Sequence, residues 1–189
     1  MSNEFKFQHE AMNTTFSFRI VHEDEKEARS AFSSAIGLIE KIENLLSRYI
    51  PGSDVWQLNH MQAGQSLFID DHTYACLRQA LEMHLLSGGL FDISLGRQIE
   101  HLKSQTDAPA PGIEGSLNIH PDRPVVHCLE SGREVDLGGI GKGYALDCVA
   151  KEMSEWGIQC ALISSGASTH LAFGDKSWQI QLVGALTER

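Results

Sequence analysis

The densest set of residues able to do chemistry is VDLGGIGKGYALD, from Val135 to Asp147, where four glycines surround Lys142. Glycines let backbone N–H groups come close to a ligand, and the positive end of a following helix adds to them. The segment is therefore suited to cradle a phosphate. It matches neither standard phosphate motif. Lys142 is followed by Gly143 rather than by the Ser or Thr of a P-loop, and Tyr144 stands at the last glycine position of GxGxxG. A tight strand-to-helix turn would need the same glycines, so spacing alone leaves both readings open.

Three further segments carry candidates. In SRYIPGSDVWQLN (Ser47 to Asn59), Tyr49 lies between the end of a helix and a Pro-Gly turn. It either stacks on a flat ring or plugs the helix end. In GGLFDIS (Gly88 to Ser94), Asp92 follows a helix terminator, where an isolated Asp reads as a turn residue or cap. In AMNTTFSF (Ala11 to Phe18), Met12 either lines a pocket or packs. The four cysteines show no CxxC pair and read as reduced core thiols, and the nine histidines include no HExxH.

These residues need elements to position them. Phe16, Phe18 and Ile20 alternate with polar residues, which predicts a half-buried strand over Phe16 to Val21. Ala28, Phe32, Ala35, Ile39, Ile42 and Leu46 form the stripe of a helix from about Glu25 to Ser47, stopped before Pro51-Gly52. A second helix follows Asp70-Asp71, with Tyr74, Leu77, Leu81 and Leu85 as its stripe and Gly88-Gly89 as its terminator. From Arg97 to Gly115 the periodicity fails, and the segment reads as loop. SLNIH and VVHCL read as a hairpin, and Glu134 to Leu137 as a short strand. The glycine-rich turn then opens a third helix, with Leu146, Val149, Met153 and Trp156 apolar and Gly157 ending it. CALIS (Cys160 to Ser164) and WQIQLV (Trp178 to Val183) read as strands around a loop. Strands not separated by helices favour α+β with an antiparallel or mixed sheet. The last strand would leave an open edge, a route to self-association.

The chain has 189 residues, 42% hydrophobic and 21% charged, and 25 acidic against 15 basic residues give a formal charge of −10. This length suits a single domain. The acidic balance, with no basic cluster, argues against nucleic acid and anionic membrane as partners. No stretch is long and apolar enough for a transmembrane helix, and the start lacks the pattern of a signal peptide. The direct expectation is a cytoplasmic chain.

Taken together and in order, AMNTTF, SRYIPGSDVWQLN, SGGLFDIS, VDLGGIGKGYALD and ALISSGAST with LAFG strongly resemble the ApbE family, the FAD:protein FMN transferases. The resemblance runs from about Phe7 to Val183, and Asp136 to Asp147 is its most specific part. It implies a duplicated T-fold, α+β with antiparallel sheets backed by helices, in one ApbE-like domain over residues 1–189. It also implies a function: binding FAD with Mg²⁺, cleaving the pyrophosphate, and passing FMN to a Thr or Ser hydroxyl of an acceptor flavoprotein. By the same resemblance Met12, Tyr49, Ile50 and Pro51 would contact the flavin, with Tyr49 stacking on the isoalloxazine. Asp92 would hydrogen-bond the cofactor, Lys142 would lie against its phosphates or adenine side, and the Gly139 carbonyl would ligate Mg²⁺. Asn13 stands where the family has Gly, and Ser165-Gly166-Ala167-Ser168 replaces a Gly-Gly turn. Members continue further, with a functional His and metal-binding Asp and Thr that His170, Asp175 and Glu188 do not match. The expectation is therefore a C-terminally incomplete member. The alternatives are a non-catalytic flavin-binding module or an inactive truncated member.

Overall fold

The computed structural model describes residues 3–180. In chain order the elements are β1 (Asn3–Ala11), β2 (Thr14–His22), α1 (Glu25–Leu46), α2 (Asp54–Asn59), β3 (Ser66–Phe68) and α3 (Asp71–Leu86). They continue with α4 (Gly96–Ser104), β4 (Ser116–Ile119), β5 (Val125–Glu130), α5 (Gly141–Glu155), β6 (Cys160–Ser165) and β7 (Thr169–Phe173). The fold class is α+β, and both sheets are antiparallel throughout. Two compact units divide the chain, Met1–Glu40 with Lys142–Arg189, and Lys41–Gly141.

The first unit is a four-stranded sheet in the order β1-β2-β6-β7. Alternation sets its faces: Phe16, Phe18 and Ile20 of β2 and Ala161 and Ile163 of β6 are buried on one side. Ala28, Ala31, Ala35 and Ile39 of α1 and Leu146, Val149 and Met153 of α5 complete that core. Phe32 stacks on Phe7 at 4.7 Å and meets Phe18 edge-on at 5.2 Å. On the opposite face, Glu4 accepts from Arg19 Nε at 2.8 Å, Arg19 Nη2 at 3.2 Å and Lys176 Nζ at 2.6 Å. The hydrogen bonds from Arg19, and then from Lys176, hold the Glu4 carboxyl down from 4.5 to about 2. A carboxylate with a depressed folded pKa adds stability above its unfolded value and loses it as pH falls through the folded one. Acid titration of the fold should therefore lose about 1–2 kcal/mol between pH 4.5 and 2 through this group, its partial exposure screening the full shift. Glu4→Gln should flatten the stability profile over that interval. A profile that keeps its slope would remove Glu4 as the cause.

The second unit is the three-stranded sheet β3-β5-β4 with α2, α3 and α4. Ser53 caps α2 by accepting from Trp56 N at 2.9 Å, and Asp70 caps α3 by accepting from His72 N at 2.8 Å. The buried Asp54 carboxylate ties the two helices, accepting from Asp70 N at 2.8 Å and Thr73 Oγ1 at 2.6 Å.

Several expectations are corrected. β1, α2, β3 and β7 lie where no element was expected, and the failed periodicity of Arg97 to Gly115 contains α4. Glu134 to Leu137 is not a strand, because the Asn59 side chain and the backbone at Ile93 and Gly96 take its hydrogen bonds. The buried face of α3 is Thr73, Cys76, Leu77 and Ala80, while Leu81 and Leu85 of the expected stripe are exposed. Leu77 of the stripe stays inside with the small Thr73, Cys76 and Ala80, and Leu81 and Leu85 fall outside that face. Trp156 is likewise exposed beyond the buried stripe of α5. Of the expected last strand, Trp178 to Ile180 are not in a strand, and 181–183 lie outside the described residues, as does Glu188. The edges of the larger described sheet are β1 and β7. All four cysteines are free thiols, with Cys76, Cys128 and Cys160 buried and Cys148 half-buried. Among the described residues no helix is long and apolar enough to cross a membrane.

Candidate functional site

In the second unit the chain leaves α1 through Ser47, Arg48 and Tyr49 and turns at Ile50-Pro51-Gly52-Ser53. Pro51 presets the first turn position and Gly52, at φ +88°, supplies the left-handed second one. Ser53 N donates to Ile50 O at 3.1 Å, and Ser53 Oγ donates to Ser47 O at 2.5 Å. The turn is thus fixed from both sides. Tyr49 does not plug the helix end: it is 61% exposed. The Arg48 guanidinium lies 5.5 Å and Lys103 Nζ 5.4 Å from its ring centroid. Lys103 Nζ also donates to Tyr49 Oη at 2.8 Å, and Tyr49 Oη donates to Glu100 Oε2 at 3.4 Å. Ile50 is half-buried and Pro51 exposed beside it. The result is an exposed aromatic ring with a held orientation and two cations around it.

Arg48 is the anchor beneath this ring, its side chain only 12% exposed. Nη1 donates to Gly96 O at 2.8 Å and to Asp136 Oδ2 at 3.3 Å, and Nη2 donates to Glu134 Oε2 at 2.7 Å. A side chain at Gly96 would strike this arrangement, since its Cβ would stand 2.7 Å from Arg48 Nη1 and 2.9 Å from Glu134 O. Asn59 acts on the same segment. Its Nδ2 donates to Val135 O at 3.0 Å, and its Oδ1 accepts from Val135 N at 2.7 Å. The Tyr49 motif therefore clamps Glu134, Val135 and Asp136, the lead-in to the glycine-rich loop.

Beyond the clamp, Asp136 Oδ1 accepts from Gly138 N at 2.7 Å, and Ile140 N and Gly141 N both donate to Leu137 O. These bonds fold residues 137–141 into a tight turn. Gly139 rests on Phe91, whose ring carbon Cε2 would lie 3.3 Å from a Cβ there. The next residue, Asp92, accepts from Ser94 N at 2.7 Å and Ser94 Oγ at 2.6 Å. Burial pushes the Asp92 carboxyl up, but the Ser94 bonds and the charges of His84 and Arg133 pull it down, leaving it below the usual carboxylate range. Asp92 opens on a cavity of about 260 Å³ lined mainly by apolar side chains, with His84 and Arg133 as its other ionisable groups. Tyr49, Ile50, Pro51, Asp92 and Gly139 all belong to this unit.

Met12 and Lys142 belong to the first unit. Met12 and Asn13 are the two central residues of the β1–β2 turn, at φ 49° and 55°. That is the pattern of a type I′ hairpin, and Asn tolerates it almost as Gly does, which accounts for Asn13 at a glycine position. Phe16 pairs with Ser165 and Ser165 with Thr169, so the Met12–Asn13 turn and the Gly166–Ser168 turn share one end of the sheet. Only residues 156–159 join α5 to β6, so the helix runs back along the strand. Its N-terminal turn, with Lys142, faces that same end. Among the described residues Lys142 forms no ion pair.

The sequence missed Arg48, Asn59 and Asp136 as site residues, although all three stand inside the quoted motifs. Among the described residues no three His, Cys, Asp or Glu side chains gather into a metal cluster. Both oxygens of Asp136, the carboxylate nearest Gly139 in sequence, are engaged by Arg48 and Gly138.

The sequence pattern of the ApbE family matches residues 12–185. An FAD:protein FMN transferase of Rhodobacter capsulatus is 24% identical over 174 residues, covering 84% of this chain and 33% of that protein. One from Treponema pallidum (strain Nichols) is 24% identical over 169 residues, covering 79% of this chain and 47% of that protein. The crystal structure of the flavinyl transferase ApbE of Pseudomonas stutzeri, in its apo form, aligns with a TM-score of 0.79 at 19% identity. That alignment covers 93% of this chain and 62% of that one. The chain spans between a third and under two thirds of the length of these relatives. The structural likeness extends the α+β architecture to a solved fold, and with the family pattern matched over most of its length the chain belongs to the ApbE family.

Proposed function

We propose that this chain, as part of one ApbE-like domain, binds FAD and serves in moving FMN from FAD to a Thr or Ser hydroxyl of an acceptor flavoprotein. The observation that carries the reading is Tyr49: an exposed ring held in place on a buried arginine, available to stack on a flat heterocycle. Ile50 and Pro51 would contact the flavin beside it, Met12 of the first unit would be a further flavin contact, and Asp92, ionised, would accept from a cofactor N–H or O–H. Lys142 at the start of α5 would meet the phosphates, where a helix N-terminus favours negative charge. The net charge of −10 makes such local cationic devices necessary for an anionic ligand.

Transfer by this reading is attack of the acceptor hydroxyl on the FMN phosphorus with AMP leaving, promoted by positioning and charge neutralisation. Mg²⁺ would neutralise phosphate charge, with the Gly139 carbonyl as one ligand. The described residues do not complete a Mg²⁺ site by themselves, and no step is assigned to the ion.

Incubation with FAD, Mg²⁺ and a Thr-bearing acceptor should leave FMN covalently on the acceptor. Tight FAD binding without transfer would make the chain a flavin-binding module, and no binding would end the proposal. Tyr49→Ala should weaken FAD binding about fivefold to tenfold in a fluorescence titration, the worth of one aromatic stack. An unchanged affinity would leave Tyr49 without a binding role.

A further inference from the structure

We infer that Lys103 is a positioning residue for the flavin-stacking ring: its ammonium fixes the tip of Tyr49 and so sets the plane on which the isoalloxazine lies. The inference rests on the FAD reading above. Lys103 stands between the motifs that carry the family resemblance and in none of them. The Tyr49 side chain lies just past a helix end and is largely exposed, and in that setting a ring swings about χ1 unless something holds its far end. Lys103 Nζ does so by donating to Tyr49 Oη at 2.8 Å, while Oη donates to Glu100 Oε2 at the longer distance of 3.4 Å. Glu100 and Lys103 are three residues apart on α4 and so share a face, which makes one helix the source of both partners of the hydroxyl.

The place of the ammonium matters as much as its bond. Nζ is 2.8 Å from Oη and 5.4 Å from the ring centroid, close to the sum of that bond and the centroid-to-oxygen distance of a phenol. It therefore lies beyond the hydroxyl, near the ring plane, and covers neither face. A cation over a face would compete with a stacked flavin, whereas one at the tip holds the ring and leaves its faces to the ligand. The grip is also registered to the rest of the site. α4 begins at Gly96, whose carbonyl accepts from Arg48 Nη1 at 2.8 Å and whose N–H donates to Glu134 O at 3.1 Å. The residue before Tyr49 thus anchors the helix that holds the Tyr49 hydroxyl. A ring ordered in advance spares the ligand the entropy of ordering it, which for one side chain is worth severalfold in affinity.

The test is a double-mutant cycle read by FAD fluorescence titration, with Lys26→Met, at an exposed position of the first unit, as a charge-matched control. Lys103→Met should bind FAD about threefold to fivefold more weakly. Its bound flavin should also fluoresce more brightly at saturation, because a loose ring stacks and quenches for less of the time. Lys103→Arg, which can still donate to Oη, should stay within about twofold of wild type. Tyr49→Phe keeps the ring but has no hydroxyl to hold, so it should lose about as much affinity as Lys103→Met. Adding Lys103→Met to Tyr49→Phe should then change neither affinity nor brightness. Lys26→Met should bind as wild type does. Unchanged affinity or brightness in Lys103→Met overturns the inference, as does unchanged affinity in Tyr49→Phe or a full loss in Lys103→Arg. An equal loss from Lys103→Met with and without Tyr49→Phe also overturns it, since the ammonium would then act on the cofactor itself. A matching loss in Lys26→Met would trace the effect to net charge and overturn it too. A wild-type chain that binds no FAD would overturn the functional reading, whereas FAD binding that ignores Lys103 sinks this role alone.

Discussion

Arg48→Met should remove about 3–5 kcal/mol of stability, the largest loss expected of any single substitution away from the hydrophobic core. The guanidinium is nearly buried and serves Gly96 O, Asp136 Oδ2 and Glu134 Oε2 at once. Removing it leaves Asp136, also mostly buried, and the less buried Glu134 with uncompensated charge. Methionine keeps most of the aliphatic volume, so the loss reads the charge and hydrogen bonds rather than a cavity. Arg48→Lys should recover less than half, since one ammonium cannot reproduce a planar fork that reaches three oxygens. Urea unfolding of the wild type and the two variants decides it. A loss below about 1 kcal/mol would mean that the cluster relaxes into water, and that Tyr49 stands on something other than Arg48.

What was legible in the sequence follows the range of the forces. The helices α1, α3 and α5 announce themselves through local chemistry: apolar residues three and four apart, the Asp70 cap, and glycine terminators at Gly88 and Gly157 with positive φ. α4 lacks such marks. It has nine residues, no side-chain cap at Leu95, and ends on a left-handed Gln105 rather than a glycine. β7 was hidden because it lies between Gly166 and Gly174, two glycines that read together as one loop but in fact close its two ends. Glu134 to Leu137 imitates a strand, with Val135 and Leu137 both buried, yet its partners are the Asn59 side chain and the backbone at Ile93 and Gly96. The candidate site divides along the same line. Tyr49, Asp92 and the glycine loop stand out as residue types next to turns. Arg48 and Asn59 do not, because their meaning depends on residues 86 and 76 positions away. Non-local pairing of that kind leaves no periodicity to read.

That pairing yields the second large effect. Asn59→Leu should cost about 2–4 kcal/mol. Asn59 offers Val135 an amide donor and an amide acceptor in the geometry of a neighbouring strand, at 3.0 and 2.7 Å. Leucine has nearly the same shape and neither group, so a buried N–H and a buried C=O lose their partners together, each worth about 1–3 kcal/mol. Val135 is itself buried, so water cannot easily replace them. Asn59→Asp should fall between leucine and wild type: it can still accept from Val135 N but sets an oxygen against Val135 O. Because Val135 lies between Glu134 and Asp136, which Arg48 grips, the two substitutions act on one segment and should not add. The double variant should cost less than the sum of the single losses by about 1 kcal/mol or more. Additivity within about 0.3 kcal/mol would show that the two grips are independent. Coupling would show that the turn bearing Gly139 is positioned as one piece with the helix end bearing Tyr49. In that case Asn59→Leu should weaken FAD binding although Asn59 itself is not among the proposed cofactor contacts, and Asn59→Asp should weaken it less.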